Sequence, residues 1–388
     1  MASTLPTNPS LDKLRDEARR FQRAEGIALH AAQFTVARRY GFTGWPAMVH
    51  YLRLAADLSV DPGAVDEDAL AAADRFCSLA SLHYDESDAP PRWQSAADML
   101  AVDPRLAEHS IWAAAAASDP VALNRHLAAR PTLANTGGGP FGWVPMMYLC
   151  YTRIPLGRSA SDVIAAATLL LDAGADPNAG YLWCGMSTPF TLLTGVFGEG
   201  EQGPRRQPRH PHATALATLL LRRGAHPVDQ QTLYNRMFRP DDSHLELLFA
   251  HGLAEAAPSP WEQRLGEAME TREQLWQRQI RWAAEHGFSD RLALLARHGI
   301  DVSGVETVQP AFPADPNARD DDGATPLHQA AWEGDLSLIR RLLDAGADPS
   351  ITDGRFGSTP LEWAEHAYQT EAAELLRAAT SATTSEYH

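Results

Sequence analysis

With 388 residues the chain is long enough for two or three compact domains or one elongated array, and an apolar share of 45% excludes a disordered chain. A formal net charge of −16 repels phosphate backbones and anionic lipid, so neither nucleic acid nor a membrane surface is an expected partner. Three scattered cysteines, Cys77, Cys150 and Cys184, describe no disulfide framework and fit a reducing, cytoplasmic setting.

The first nine residues are polar, with no apolar leader, and no apolar run nears the roughly 18 residues that span a bilayer. Residues 1–60 read as a helical module. Ser10 is placed to cap a helix with apolar positions Leu11, Leu14, Ala18 and Phe21, followed by helices over 27–40 and 45–58. An acidic linker, 61–68, then leads into roughly eight helix pairs that fill 61–388. The pairs are expected around 70–101, 111–129, 144–174, 188–224, 232–252 and 281–299, then across 323–378. They are divergent over 65–310 and clear over 323–378. Extra residues follow Tyr151, and 198–211, rich in Gly, Pro and Arg, is the longest insertion, expected as a solvated loop carrying Arg205 and Arg206. A loop over 301–322 and a polar tail over 380–388 complete the chain.

The pairs are found by self-comparison. Leu342-Leu-Asp-Ala-Gly346-Ala-Asp-Pro349 recurs as Leu170-Leu-Asp-Ala-Gly174-Ala-Asp-Pro177 and, more loosely, as Leu220-Leu-Arg-Arg-Gly224-Ala-His-Pro227. Shorter echoes end at Gly252 and Gly299. A second block, Gly323-Ala-Thr325-Pro326-Leu-His328, returns as Gly357-Ser-Thr359-Pro360-Leu361 and as Ser187-Thr188-Pro189-Phe190. Thr-Pro starts a helix, since the hydroxyl caps orphan N–H groups and proline suits the first turn. Glycine after Leu-Leu stops one, because it enters the left-handed region without a Cβ penalty. Between the two blocks, Ala330-Ala331 and Ala283-Ala284 let neighbouring helices approach.

Thr-Pro-Leu-His, Ala-Ala, Gly-Asp, Leu-Leu and Gly-Ala-Asp-Pro, in that order at a period of about 33, resemble the ankyrin repeat. That resemblance implies an all-α class: a solenoid of helix pairs whose first helices and hairpins line a concave face, with the N-terminal three helices as a cap. The strings Pro9-Ser-Leu-Asp-Lys-Leu-Arg15 and Val36-Ala-Arg-Arg-Tyr-Gly41-Phe-Thr-Gly-Trp45 resemble a helical leader that precedes such arrays in bacterial proteins. The arginine bias (Lys13 is the only lysine) points to the same kind of source. His328 is implied to be structural, bonding between adjacent turns.

No motif for phosphate cradling, zinc hydrolysis, thiol redox chemistry or serine acyl transfer occurs, so no catalytic residue, metal or cofactor is expected. His210-Pro-His212 lacks a third ligand and reads as solvated loop, as Asp320-Asp321-Asp322 reads as an exposed turn. Aligned on the closing glycine, Trp332 and Glu333 stand where Glu285 and His286, Phe238 and Arg239, and Tyr151 stand in other pairs, with Trp143, Tyr148, Arg153, Tyr181 and Trp183 nearby. Aromatics and arginines on one strip have the composition of a binding hot spot. The expected function is therefore a scaffold that recognises a protein partner. The alternative is a small-molecule binder or atypical enzyme with a pocket in the central pairs, using Arg153, Arg236, Arg239, Glu285 and His286 beside Met146, Met147 and Cys150.

Overall fold

Helix starts along this chain are set by short polar side chains, and helix stops by glycine. The Ser110 hydroxyl accepts from Ala113 N–H at 3.1 Å and the Asp119 carboxylate from the N–H groups of Val121 and Ala122 at 3.0 Å. Each closing glycine has a left-handed φ, from +78° at Gly299 to +100° at Gly224. The computed structural model describes residues 5, 9–155, 157–306 and 312–385. Helices supply nearly all of the regular structure, in agreement with the expected all-α class. Among the described residues no helix is long and apolar enough to cross a membrane.

Two compact units divide the chain. The first comprises Met1–Val196, His210–Gln231 and Glu255–Leu275. Its leading helices, Leu11–Glu25, Leu29–Arg39 and Trp45–Leu58, lie close to their expected positions. Ser10 is the capping residue of the first, but only its carbonyl bonds into the helix, accepting from Leu14 N–H at 3.1 Å. Leu14, Val36, Met48 and Tyr51 share a core with Leu182, Trp261 and Leu265, the last two on or beside the unexpected helix Pro260–Leu265. Then come the pairs Ala72–Ala80 with Pro90–Val102, Ile111–Ala116 with Pro120–Ala129, and Pro145–Tyr151 with Ala160–Asp172. Ala113 to Ala117 are all buried, and this small-residue stretch lets Ile111–Ala116 pack directly on Pro145–Tyr151.

Three expectations for this unit are corrected. The linker 61–68 is not simply solvated, because Glu67 is drawn into a polar cluster described below. Thr188-Pro189 does not open a helix. Pro189–Thr191 is strand β3, antiparallel to β2, Gly180–Trp183, with Tyr181 opposite Phe190; β1, Ser59–Val60, runs parallel to β2 on its other side. The helix Leu192–Phe197 starts three residues later, where the Thr191 hydroxyl accepts from Leu193 N–H at 3.1 Å. His210 is buried, its Nδ1 accepting from His212 N–H at 3.1 Å, and so does not sit in solvent.

The second unit comprises Phe197–Arg209, Thr232–Ala254 and Trp276–His388. It holds the helices Ser243–Ala250 and Ser289–Arg297 and two regular pairs, Pro326–Glu333 with Leu336–Asp344 and Pro360–His366 with Thr370–Ser385. Leu327, Ala330, Ile339, Leu342, Ala364 and Leu376 form the core of those two pairs. The supposed tail is a continuation of the last helix as far as Ser385, and 386–388 lie outside the described residues, as do 307–311 of the expected loop. The 198–211 insertion is also not a solvated loop. Gly198, Glu199 and Gly200 are buried, Gly203–Arg206 makes a helical turn, and only Arg205 of the arginine pair is exposed. Buried Glu199 explains this packing. It receives Arg209 Nε at 2.9 Å and an ion pair from Arg236, while Arg236 also reaches Asp241 at 2.6 Å. A charge this deep needs such partners.

Candidate binding surface

The expected strip separates into two kinds of residue. In the first unit, Trp143, Tyr148, Tyr151 and Arg153 are all buried, so they do not line an exposed face, contrary to the expectation. Their rings pack on one another and on their neighbours: Trp143 lies 5.0 Å from Tyr151 and 4.9 Å from Tyr181, and Phe141 4.6 Å from Trp143. The polar ends of Tyr148, Tyr151 and Arg153 satisfy irregular backbone. Tyr148 OH donates to Gly138 O at 2.8 Å, Tyr151 OH to Thr191 O at 2.9 Å, and Arg153 Nη1 to Thr152 O at 2.8 Å. Half-buried Trp183 donates its indole N–H to His83 O at 2.8 Å. Loops between helices and the strand pair leave carbonyls without helical partners, and these side chains supply the donors.

A second cluster in this unit was not marked by any sequence motif. His83 Nε2 lies 3.4 Å from Ser78 Oγ, and His83 Nδ1 lies 3.8 Å from Asp85, the order of a nucleophile, base and acid. The polar bonding rules that chemistry out here. Ser78 donates to Glu67 at 2.7 Å, and Arg92 Nη2 occupies His83 Nε2 at 2.5 Å while also reaching Glu67 at 2.7 Å. Burial, then the Arg92 charge, lower the His83 pKa to about 3. The imidazole lone pair is committed to a guanidinium and cannot take a serine proton. The cluster ties 61–68 to the first helix pair.

In the second unit the marked residues reach solvent. Phe238 is half-buried, 5.2 Å from Tyr234 and 5.0 Å from Trp282, and Trp282 stacks on exposed His286 at 3.9 Å. Glu285 is exposed beside it, and half-buried Arg239 pairs with exposed Glu333. Trp332, also half-buried, lies 5.9 Å from Trp363 and 6.0 Å from His366. Trp332, Phe356, Glu362, Trp363, His366 and Arg205 line a cleft of about 630 Å³, and His286, Phe288 and Arg341 border a second of about 390 Å³.

Sequence reasoning missed Trp363, His366 and Phe356. The eighth pair has no closing glycine, so alignment on that residue passes it by. The 34-residue offset between Thr325 and Thr359 carries Gln329 onto Trp363 and Trp332 onto His366, and would have found two of the three. His328 is structural, as the resemblance implied. Its Nδ1 accepts from Thr325 N–H at 3.0 Å, which leaves Nε2 as the protonated nitrogen, 3.0 Å from Ser358 O.

Among the described residues no group of three histidine, cysteine or carboxylate side chains is placed to hold a metal ion. Residues 311–364 match the family model of ankyrin repeats (many copies). The potassium channel KOR1 of Oryza sativa subsp. japonica is 44% identical over 77 residues, 20% of this chain and 9% of the channel. The serine/threonine-protein kinase VIK of Arabidopsis thaliana is 37% identical over 86 residues, 22% of this chain and 19% of the kinase. The inactive serine/threonine-protein kinase TEX14 of Bos taurus is 45% identical over 53 residues, 14% of this chain and 4% of that protein. The chain thus spans less than a fifth of the length of each of these relatives. It is an all-α chain whose residues 311–364 match ankyrin repeats.

Proposed function

We propose that this chain is a binding scaffold that recognises a protein partner through the exposed aromatic and charged strip of its second unit. The observation that carries this reading is the placement of Phe238, His286 and Trp332 at or just beyond the ends of first helices, each reaching solvent, with Arg239, Glu285 and Glu333 beside them. A face held by helix pairs is preformed and loses little entropy on docking. The ankyrin match over 311–364 supports a protein as the ligand. The three buried, unbridged cysteines fit a cytoplasmic location, and the arginine bias fits a bacterial source. Hydrogen exchange on the full chain with a partner captured from its native lysate tests the surface. Protection is expected at Pro326–Glu333 and at the end of Arg272–Glu285, and a complex that protects neither removes the proposal.

A second reading rests on a different cleft. In the first unit Trp143, Met147, Tyr181 and Trp261 line a space of about 580 Å³ with Asp57, Asp176 and Arg264, and among the described residues the Trp143 indole N–H and Tyr181 hydroxyl are buried without hydrogen-bond partners. Aromatic walls with a few charged groups between them can hold and orient a small ligand. Native mass spectrometry of the purified chain distinguishes the two readings: a retained mass of a few hundred daltons favours the pocket, a retained polypeptide the scaffold.

A further inference from the structure

We propose that the cleft beside Trp332 and Trp363 accepts a basic side chain, lysine or arginine, of the partner protein. This rests on the reading of the second unit as a protein-binding surface and specifies the chemistry recognised there.

Trp332 and Trp363 meet edge to face at 75°, His366 stacks against Trp332, and both indoles line one cleft while only half-buried. Phe356 lines the same cleft, is 70% exposed, and carries the Arg355 guanidinium over its ring at 5.1 Å from the centroid. A cation over aromatic faces gains from the ring quadrupole, most strongly over tryptophan.

The loop that presents Phe356 is held rigidly. Asp353 Oδ1 accepts from the N–H groups of Arg355 at 2.8 Å and Phe356 at 2.6 Å. Its Oδ2 accepts from Ser358 N–H at 2.9 Å and from the Trp363 indole at 3.0 Å. One carboxylate therefore fixes both the loop and the tryptophan. Burial alone would raise the Asp353 pKa, but these donors hold it well below the usual carboxylate range. The recess exists before any partner arrives.

Charge favours a cation. Residues 312–385 carry thirteen carboxylates against five arginines and no lysine. Glu362 stands in the lining itself, its Oε2 fixed by Thr359 N–H at 2.6 Å and the Thr359 hydroxyl at 3.0 Å. That is a positioned counter-charge for an ammonium or guanidinium group. Arg205 is the formal cation of the lining and suits a carbonyl of the same peptide.

The test titrates the full-length protein with three labelled peptides of one length, in which alternate positions are lysine, glutamine or glutamate. Variants are W332A, E362Q (which keeps the capping hydrogen bonds) and E246Q, an exposed carboxylate outside the cleft. Circular dichroism melts show that each variant is folded. The lysine peptide should bind and the glutamate peptide should not. W332A and E362Q should each weaken the lysine peptide by about three- to thirty-fold, and E246Q should leave it unchanged. Equal loss in E246Q, or no loss in W332A and E362Q, would mean general attraction to an acidic protein and overturns the proposal. If the lysine peptide fails while a captured protein still protects Pro326–Glu333 from exchange, the cation site falls and the scaffold stands. If neither binds there, both fall.

Discussion

Asn178 joins successive helix pairs in the first unit: its Nδ2 donates to Gly224 O at 3.0 Å and its Oδ1 accepts from His226 N–H at 2.8 Å. Asn317 repeats the geometry in the second unit, donating to Gly346 O at 3.0 Å and accepting from Asp348 N–H at 2.8 Å. Asn135 does the same with Gly174 and Asp176, at 2.6 and 2.9 Å. The carbonyl of each closing glycine is an orphan of the helix end, and the asparagine of the preceding repeat satisfies it. Replacing Asn178 or Asn317 by alanine should each cost about 1 kcal/mol, because the sites are only partly buried and water replaces some of the loss. Their effects should add, since the two clamps share no partner. Urea unfolding of the two single variants and the double variant measures this. A double variant as stable as wild type removes the clamp.

Buried Arg291 supports a different prediction. Its Nε donates to Asp242 at 2.6 Å and Nη1 to Met237 O at 2.6 Å, and Nη2 bonds Arg239 O. The guanidinium also covers the Phe288 ring at 5.1 Å. Arg291→Met keeps the volume but strands one carboxyl and two carbonyls, at a cost of about 3–5 kcal/mol. Burial already raises the Asp242 pKa and Arg291 opposes it, so without the arginine this carboxyl takes up a proton more readily. Adding Asp242→Asn should recover part of the loss. A double-mutant cycle read by chemical unfolding checks the coupling, and strict additivity would show that the pair does not interact.

The features legible in sequence were those imposed by local backbone physics. Gly174, Gly224 and Gly346 announce helix ends because a left-handed φ admits few other residues, and Thr325-Pro326 announces a start. The three leading helices and the two C-terminal pairs follow from such signals. What covers a side chain is not a local property. Tyr151 aligned with Trp332, with Trp143 nearby, yet Tyr181 of β2 packs on both rings and both are buried. Thr188-Pro189 carried the same signal as Thr325-Pro326 but lies in a strand, because Tyr181 and Phe190 pair across the sheet. Trp143, Tyr148, Tyr151 and Arg153 therefore became core, while Trp183, Phe238, Arg239, Glu285, His286, Trp332 and Glu333 keep some exposure.

Gly195 tests that core. A Cβ there would lie 2.2 Å from ring carbons of Tyr151, whose hydroxyl is tied to Thr191 O at 2.9 Å, so the ring cannot yield. Gly195→Ala should cost about 1–3 kcal/mol by overpacking, and Tyr151→Leu in the same chain should return part of it. At Gly346 nothing lies within 4 Å of an added Cβ, and the constraint is its φ of +87°. Gly346→Ala should cost about 1–2 kcal/mol that no neighbouring substitution recovers. Thermal melts of the two alanine variants with and without a second change separate steric from conformational cost. Rescue at both positions, or at neither, contradicts the assignment.

His244 sets an acid limit on stability. It is fully buried against Phe197, at 6.3 Å between rings, and among the described residues neither ring nitrogen has a hydrogen-bond partner. Burial first, then the charges of Arg236 and Arg291, hold its pKa well below the ordinary histidine value, with Asp241 opposing them. The folded protein therefore keeps this ring neutral, while the unfolded chain binds a proton below about pH 6.5. Stability linked to His244 is complete above that value and is lost as pH falls below it, by up to about 1.4 kcal/mol per unit. His244→Leu removes the titration and two unsatisfied nitrogens together. At pH 7 the variant should match or exceed wild type, and the gap in its favour should widen towards pH 5. Urea unfolding of both proteins at pH 7, 6 and 5 reads that gap directly. If it stays constant over this range, His244 is protonated in the folded state as readily as in the unfolded chain, and the buried neutral ring is the wrong description.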